Sequence, residues 1–262
     1  MKCLSLLAAL TPVLFACGSI STHAEAQPSP GCAAPTATAG VSNGSIDVAG
    51  LTRTYVVSIP SVQPGKVYPL VFAFHGSGDT GANFRQWSGF ESAAAGRAIM
   101  VYPDGVDKVW PNDNGRDVAM FDAVLARLQQ TACVDGARVF GTGFSYGGYM
   151  SNTLGCARAG VVRAIAPFSG GGPGPTCNGT RLAAWIAHGA QDPKVDISQG
   201  EASRDRWRQV DHCGDAVFDT NPSPCVAYGC DAGYPVVWCE FQGQHEIPSW
   251  GPAGALAFFL SF

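Results

Sequence analysis

The chain has 262 residues, of which 46% are hydrophobic and 14% charged, with a formal net charge of −4. That length and apolar content allow one sizeable core and exclude an intrinsically disordered chain. The sparse charge, with no basic run, excludes a nucleic-acid binder and any partner chosen by bulk charge.

The first 26 residues read as a secretory signal peptide. Lys2 supplies a minimal positive region, Leu4 to Ala16 an apolar stretch, and Ala24-Glu25-Ala26 a small-x-small cleavage site. The apolar stretch is too short to span a bilayer, and no later run reaches about 18 residues, so no transmembrane segment is expected. Leu14-Phe15-Ala16-Cys17-Gly18 also resembles a lipoprotein signal, which leaves lipidation at Cys17 as an alternative. Residues 27–43, rich in Pro, Ala, Gly and Ser, read as an irregular lead tied down by Cys32. Residues 44–262 then read as a single folded domain.

Within that domain, 45–59 reads as a hairpin turning at Gly50. Strand-like runs follow at 69–74, 98–103, 137–142, 162–168, 182–188 and 234–241. Helix-like segments lie between them at 82–96, 117–132, 148–159 and 200–212, with a last one at 252–261. In 117–132, Val118, Phe121, Val124, Leu125 and Leu128 recur at helical spacing. Strands alternating with helices predict an α/β fold with a mainly parallel, doubly wound sheet.

The stretch that carries chemistry is Gly143-Phe144-Ser145-Tyr146-Gly147, a G-x-S-x-G motif between a strand-like and a helix-like run. Strand, tight turn and helix are the context of a nucleophile elbow: the serine is lifted above the sheet at a helix N-terminus, whose free N–H groups suit a developing oxyanion. In an α/β-hydrolase the chain order is serine, acid, histidine. Asp192 follows the run 182–188 and His245 follows 234–241, so the loops bearing all three gather at the carboxyl edge of a parallel sheet. The expected triad is Ser145, Asp192 and His245, with Asp196 as the rival acid. Asp104 and Asp107 precede the serine and fall in the wrong order.

His75, in Phe74-His75-Gly76-Ser77, reads as support for the loop that donates to the oxyanion; His188 reads as a structural histidine on the acid strand, and His212 as an exposed one. The expected oxyanion donors are the N–H groups of Tyr146 and of Gly76 or Ser77, with Ser77 preferred. Aromatic candidates for a substrate cleft are Trp110, Trp87, Tyr149 and Trp250. Trp110 is favoured because its Pro/Asn/Asp/Gly surroundings suggest an exposed loop.

Removal of the leader would leave eight cysteines: Cys32, Cys133, Cys156, Cys177, Cys213, Cys225, Cys230 and Cys239. An even set on an exported chain predicts up to four disulfides, with connectivity left open. No paired C-x2-C spacing suggests a metal site. The stretch between Cys213 and Cys239 reads as a stapled insert of little periodicity. Asn178-Gly179-Thr180 is a glycosylation sequon.

These pieces, together with Gly31-Cys32, Gly50 to Tyr55, Tyr102-Pro103-Asp104-Gly105 and His188-Gly189, resemble the secreted feruloyl esterases of carbohydrate esterase family 1 and the related polyhydroxybutyrate-depolymerase-like esterases. The resemblance spans nearly the whole mature chain. It implies an α/β-hydrolase without a cofactor, acting on an ester substrate such as feruloylated plant polysaccharide; a monomer is expected. It carries Ser145, Asp192 and His245 over as the triad. Some fungal members have His-Trp where this chain has His75-Gly76. A polyhydroxybutyrate depolymerase, an acetylxylan esterase or another secreted carboxylesterase is the alternative. More distant ones are a peptidase, suggested by Ser-Tyr-Gly-Gly-Tyr at 145–149, an acyltransferase, or a catalytically silent binding protein on the same fold.

Overall fold

The computed structural model describes residues 25–61, 63–172, 177 and 179–262. Most of the expected leader, Cys17 and the sequon asparagine Asn178 lie outside the described residues.

Ten strands form one sheet: β1 (Gly40–Val48), β2 (Leu51–Ile59), β3 (Tyr68–Phe74), β4 (Ile99–Pro103), β5 (Val134–Phe144), β6 (Val162–Phe168), β7 (Ala183–Gly189), β8 (Val217–Asp219), β9 (Val226–Tyr228) and β10 (Val236–Phe241). Their spatial order is β1-β2-β4-β3-β5-β6-β7-β10-β9-β8. The six central strands, β4 to β10 in that order, run parallel, and antiparallel pairs flank them at both edges. The helices are α1 (Gly81–Trp87), α2 (Phe90–Ala94), α3 (Arg116–Thr131), α4 (Tyr146–Ala157), α5 (Ile197–Val210) and α6 (Gly251–Leu260).

Side-chain alternation divides the core in two. On β3, Leu70 and Phe72 pack with Phe121, Val124, Leu154 and Trp207, so α3, α4 and α5 cover one face. Val71 and Ala73 pack with Phe84, Phe90, Leu256 and Phe259, so α1, α2 and α6 cover the other. A strand buried on both faces reads as a continuous apolar run, and β3 is buried throughout.

Three expectations need correction. β1 begins at Gly40, inside the stretch read as an irregular lead, because Gly40 to Val48 pair residue by residue with β2; its small and polar residues give no apolar alternation to detect. The segment 82–96 is two helices rather than one, broken where Gly89 takes φ 81°. The stapled insert holds β8 and β9, each three residues long and too short for a sequence period. Four disulfides join Cys32 to Cys133, Cys156 to Cys177, Cys213 to Cys230, and Cys225 to Cys239. Among the described residues no cluster of His, Cys, Asp or Glu could hold a metal ion, and no helix is long and apolar enough to cross a membrane.

Candidate active site

Ser145 sits between β5 and α4 with φ 56° and ψ −118°, a backbone strain that only a well-braced turn sustains. The bracing is visible. The Ser145 N–H donates to Phe168 O on β6 (2.9 Å), and Ser145 O accepts the N–H groups of Gly148 (2.9 Å) and Tyr149 (3.1 Å). Gly147 lies against the carbonyls of Phe74 and His75, where any Cβ would collide with backbone. The serine hydroxyl caps no helical N–H. With Ser77, Tyr146 and Tyr149, Ser145 lines a shallow cavity of about 300 Å³.

Asp192 and His245 lie on the loops after β7 and β10, which are hydrogen-bonded neighbours in the sheet. His245 Nδ1 and Asp192 Oδ2 are 2.7 Å apart. An ionised carboxylate only accepts, so Nδ1 carries the proton and the Nε2 lone pair is left for a hydroxyl. Asp192 Oδ1 accepts the N–H groups of Lys194 (2.8 Å) and Val195 (2.9 Å). Burial pushes the Asp192 carboxyl up, but the Val195 N–H, the His245 ring and the Lys194 N–H outweigh it and hold the group below the usual carboxylate range. Asp196, the rival acid, instead caps α5 by accepting the Ser198 N–H at 3.0 Å.

His188 is fully buried. Its Nε2 donates to Val195 O (2.9 Å) and lies 3.5 Å from Asp192 Oδ2. Burial lowers its pKa, so the ring is neutral and braces the acid loop. His75 is also buried, and burial likewise lowers its pKa. Gly105 N–H donates to its Nε2 (3.0 Å), which leaves Nδ1–H to donate to Gly76 O (2.7 Å). His75 therefore supports its loop. In that loop the N–H groups of Gly78 and Asp79 are spent on Lys108 O and Gly76 O. His212 is exposed as expected, though it lies past the end of α5 and is bound to Asp231 (3.0 Å).

Of the aromatic candidates, only Tyr149 lines the Ser145 cavity. Burial, and then the Asp192 charge, raise the pKa of its phenol, so it stays protonated. Trp110 contradicts the exposed-loop expectation: it is 3% exposed, its indole N–H donates to His75 O (2.8 Å), and its ring meets Phe74 edge-on at 5.2 Å. The turn residues around it serve left-handed backbone, with positive φ at Asp107, Lys108, Asn112 and Asn114; Asp107, Lys108, Asp113 and Asn114 are exposed, but the indole itself turns inward. Trp250 is half-buried and packs edge-on against Trp185 and Phe241, both at 6.0 Å, as scaffold at the start of α6. Phe144 was not anticipated from sequence; its ring lies 4.7 Å from that of His245, and only the x of G-x-S-x-G marks the position.

No family model matches the chain. Among curated proteins it is 34% identical to feruloyl esterase C of Emericella nidulans over 95% of both chains. It is 32% identical to feruloyl esterase D of Neurospora crassa, covering 90% of this chain and 88% of that one. Solved structures with the same fold include an acetyl xylan esterase from Aspergillus awamori (TM-score 0.67, 15% identity, covering 84% of this chain and all of that one). A carbohydrate esterase family 1 ferulic acid esterase from Anaeromyces mucronatus is another (TM-score 0.59, 14% identity, covering 86% and 89%). A shared α/β-hydrolase fold thus accounts for identities near 15%. The relatives exceed twice that level from end to end, and the chain belongs to the feruloyl esterase family of carboxylic ester hydrolases.

Proposed function

We propose that the chain is a secreted, monomeric serine esterase that releases ferulic acid from feruloylated plant cell-wall polysaccharide such as arabinoxylan. The observation that carries the proposal is the 2.7 Å bond between His245 Nδ1 and Asp192 Oδ2 at the sheet edge that bears the strained Ser145 elbow, in a member of the feruloyl esterase family. Export is supported by the leader-like first 26 residues and by four disulfides, which persist in oxidising surroundings.

In the first step His245 Nε2 takes the hydroxyl proton of Ser145 as Oγ attacks the ester carbonyl. Asp192 holds the ring in the correct tautomer and stabilises the imidazolium that forms. Charge collects on the carbonyl oxygen, which the N–H groups of Tyr146 and Ser77 receive. The Tyr146 N–H is free because it belongs to the first turn of α4. Collapse breaks the ester C–O bond, and the proton passes from His245 to the departing sugar oxygen. Water, deprotonated by the same histidine, then cleaves the acyl-serine and releases the acid. The cavity beside Tyr149 would receive the phenolic acyl group, with ring contacts worth about 0.5–1.5 kcal/mol each.

The test compares the mature protein with Ser145→Ala on methyl ferulate, feruloylated arabinoxylan, p-nitrophenyl acetate and a hydroxybutyrate oligomer. Ferulate release by the parent that vanishes in the variant is the expected result. Activity confined to acetate or hydroxybutyrate keeps a serine esterase but overturns the feruloyl assignment, and equal activity in both proteins overturns the nucleophile.

A further inference from the structure

We propose that the exposed indole of Trp87 is a stacking platform for the sugar that leaves during ester cleavage, and so sets preference for sugar-linked over simple esters. The inference rests on the feruloyl esterase reading above. Trp87, at the end of α1, is 46% exposed, unusual for so large an apolar side chain here. Its orientation is fixed. The indole N–H donates to Asp79 Oδ2 at 2.9 Å, and Asp79 Oδ1 is itself held by the Thr80 N–H (2.8 Å) and Asn83 Nδ2 (2.7 Å). One edge of the indole is thus committed to the protein while much of the ring stays open to solvent.

The reaction decides which part of a substrate meets that ring. His245 must return its proton to the departing oxygen, so the leaving sugar lies on the His245 side of Ser145. The acyl group takes the other branch of the tetrahedral centre, toward the cavity lined by Ser77, Tyr146 and Tyr149. Phe144 bridges the first direction: its ring lies 4.7 Å from that of His245 and 5.8 Å, edge-on, from that of Trp87. The exposed indole therefore stands one ring beyond the base, on the side from which the sugar leaves. The C–H face of a pentose is apolar and matches an aromatic face, and a ring already locked by Asp79 loses little freedom on binding.

The experiment measures kcat/KM for the parent, Trp87→Ala and Trp87→Tyr on two esters with the same acyl group, methyl ferulate and ferulate esterified to an arabinose-bearing xylo-oligosaccharide. The expected result is that Trp87→Ala lowers the ratio of sugar ester to methyl ester by about fivefold to tenfold, chiefly through KM, and that Trp87→Tyr restores most of it. An unaltered ratio, or a loss shared equally by both esters, overturns the proposal; an equal loss would mean that the indole merely packs Phe144 against the base. A parent that cleaves neither ester overturns the feruloyl reading and this inference with it, a pattern distinct from a parent that cleaves both with an unaltered ratio.

Discussion

Trp110→Phe tests whether the loop before the nucleophile is braced from behind or whether Trp110 faces substrate. The exchange deletes one N–H donor, bound to His75 O at 2.8 Å in a buried setting, and part of a ring packed against Phe74 and His75. A buried carbonyl left without its donor costs about 1–3 kcal/mol, and the lost ring volume adds on the order of 1 kcal/mol. The sum, about 2–4 kcal/mol, corresponds to a fall in Tm of roughly 5–12 °C for a domain of this size. Because the same loop carries Ser77, kcat should also fall, by about tenfold, short of the 10²–10³-fold typical of losing an oxyanion donor outright. The loop serves any acyl group, so methyl ferulate and p-nitrophenyl acetate should suffer alike. Differential scanning calorimetry and steady-state kinetics on both esters provide the check. An unchanged Tm with a raised KM for ferulate alone would refute the brace and return Trp110 to the substrate cleft.

Asp192→Asn should lower kcat by about 10³–10⁴-fold with little change in KM, since an amide cannot stabilise the imidazolium, whereas Asp196→Asn should change it little; comparable losses in the two variants would reverse the choice of acid. Asp211 is buried, and burial pushes its carboxyl up to about 7 although it accepts the Leu182 N–H. Between about pH 4 and 7 the folded chain keeps a proton there that the unfolded chain has released, so stability falls as pH rises through that window, by up to roughly 4 kcal/mol. Asp211→Asn should flatten that slope in a Tm series from pH 4 to 8, and identical slopes in the two proteins would exclude the assignment. Cys32 and Cys133 are 101 residues apart, and replacing both by serine should remove up to about 4–5 kcal/mol of stability, seen as an earlier denaturant midpoint.

What the sequence made legible follows from which features are local. The G-x-S-x-G turn, the serine–acid–histidine order and the apolar runs of the central strands are written in contiguous residues, and each strand carrying a triad loop was found at its place. Asp192 is preferred to Asp196 in the sequence because it lies just past the end of its strand, and in the structure Asp192 is the one bonded to His245. Trp110 is misread because glycine, asparagine and aspartate report on the backbone of a turn and not on a neighbouring side chain; its indole turns inward to one hydrogen bond and two ring contacts with a loop 35 residues earlier. β8 and β9 failed because a three-residue strand has no measurable period. Phe144 is invisible in the sequence because it acts through a contact that no spacing encodes, and His188 reads as structural while its partner, Val195 O, does not.

The strand that leads to His245 has two unlike neighbours. On one side β10 is hydrogen-bonded to β7, the strand that leads to Asp192; on the other it meets β9, and Cys239 within β10 is joined to Cys225 just before β9. His245 is thus reached through a strand whose outer flank is secured covalently as well as by the short strands β9 and β8. Where thiols stay reduced, the outer side of that strand keeps only its pairing with β9. Where they oxidise, the Cys225–Cys239 bond adds a covalent tie beside the strand that leads to His245.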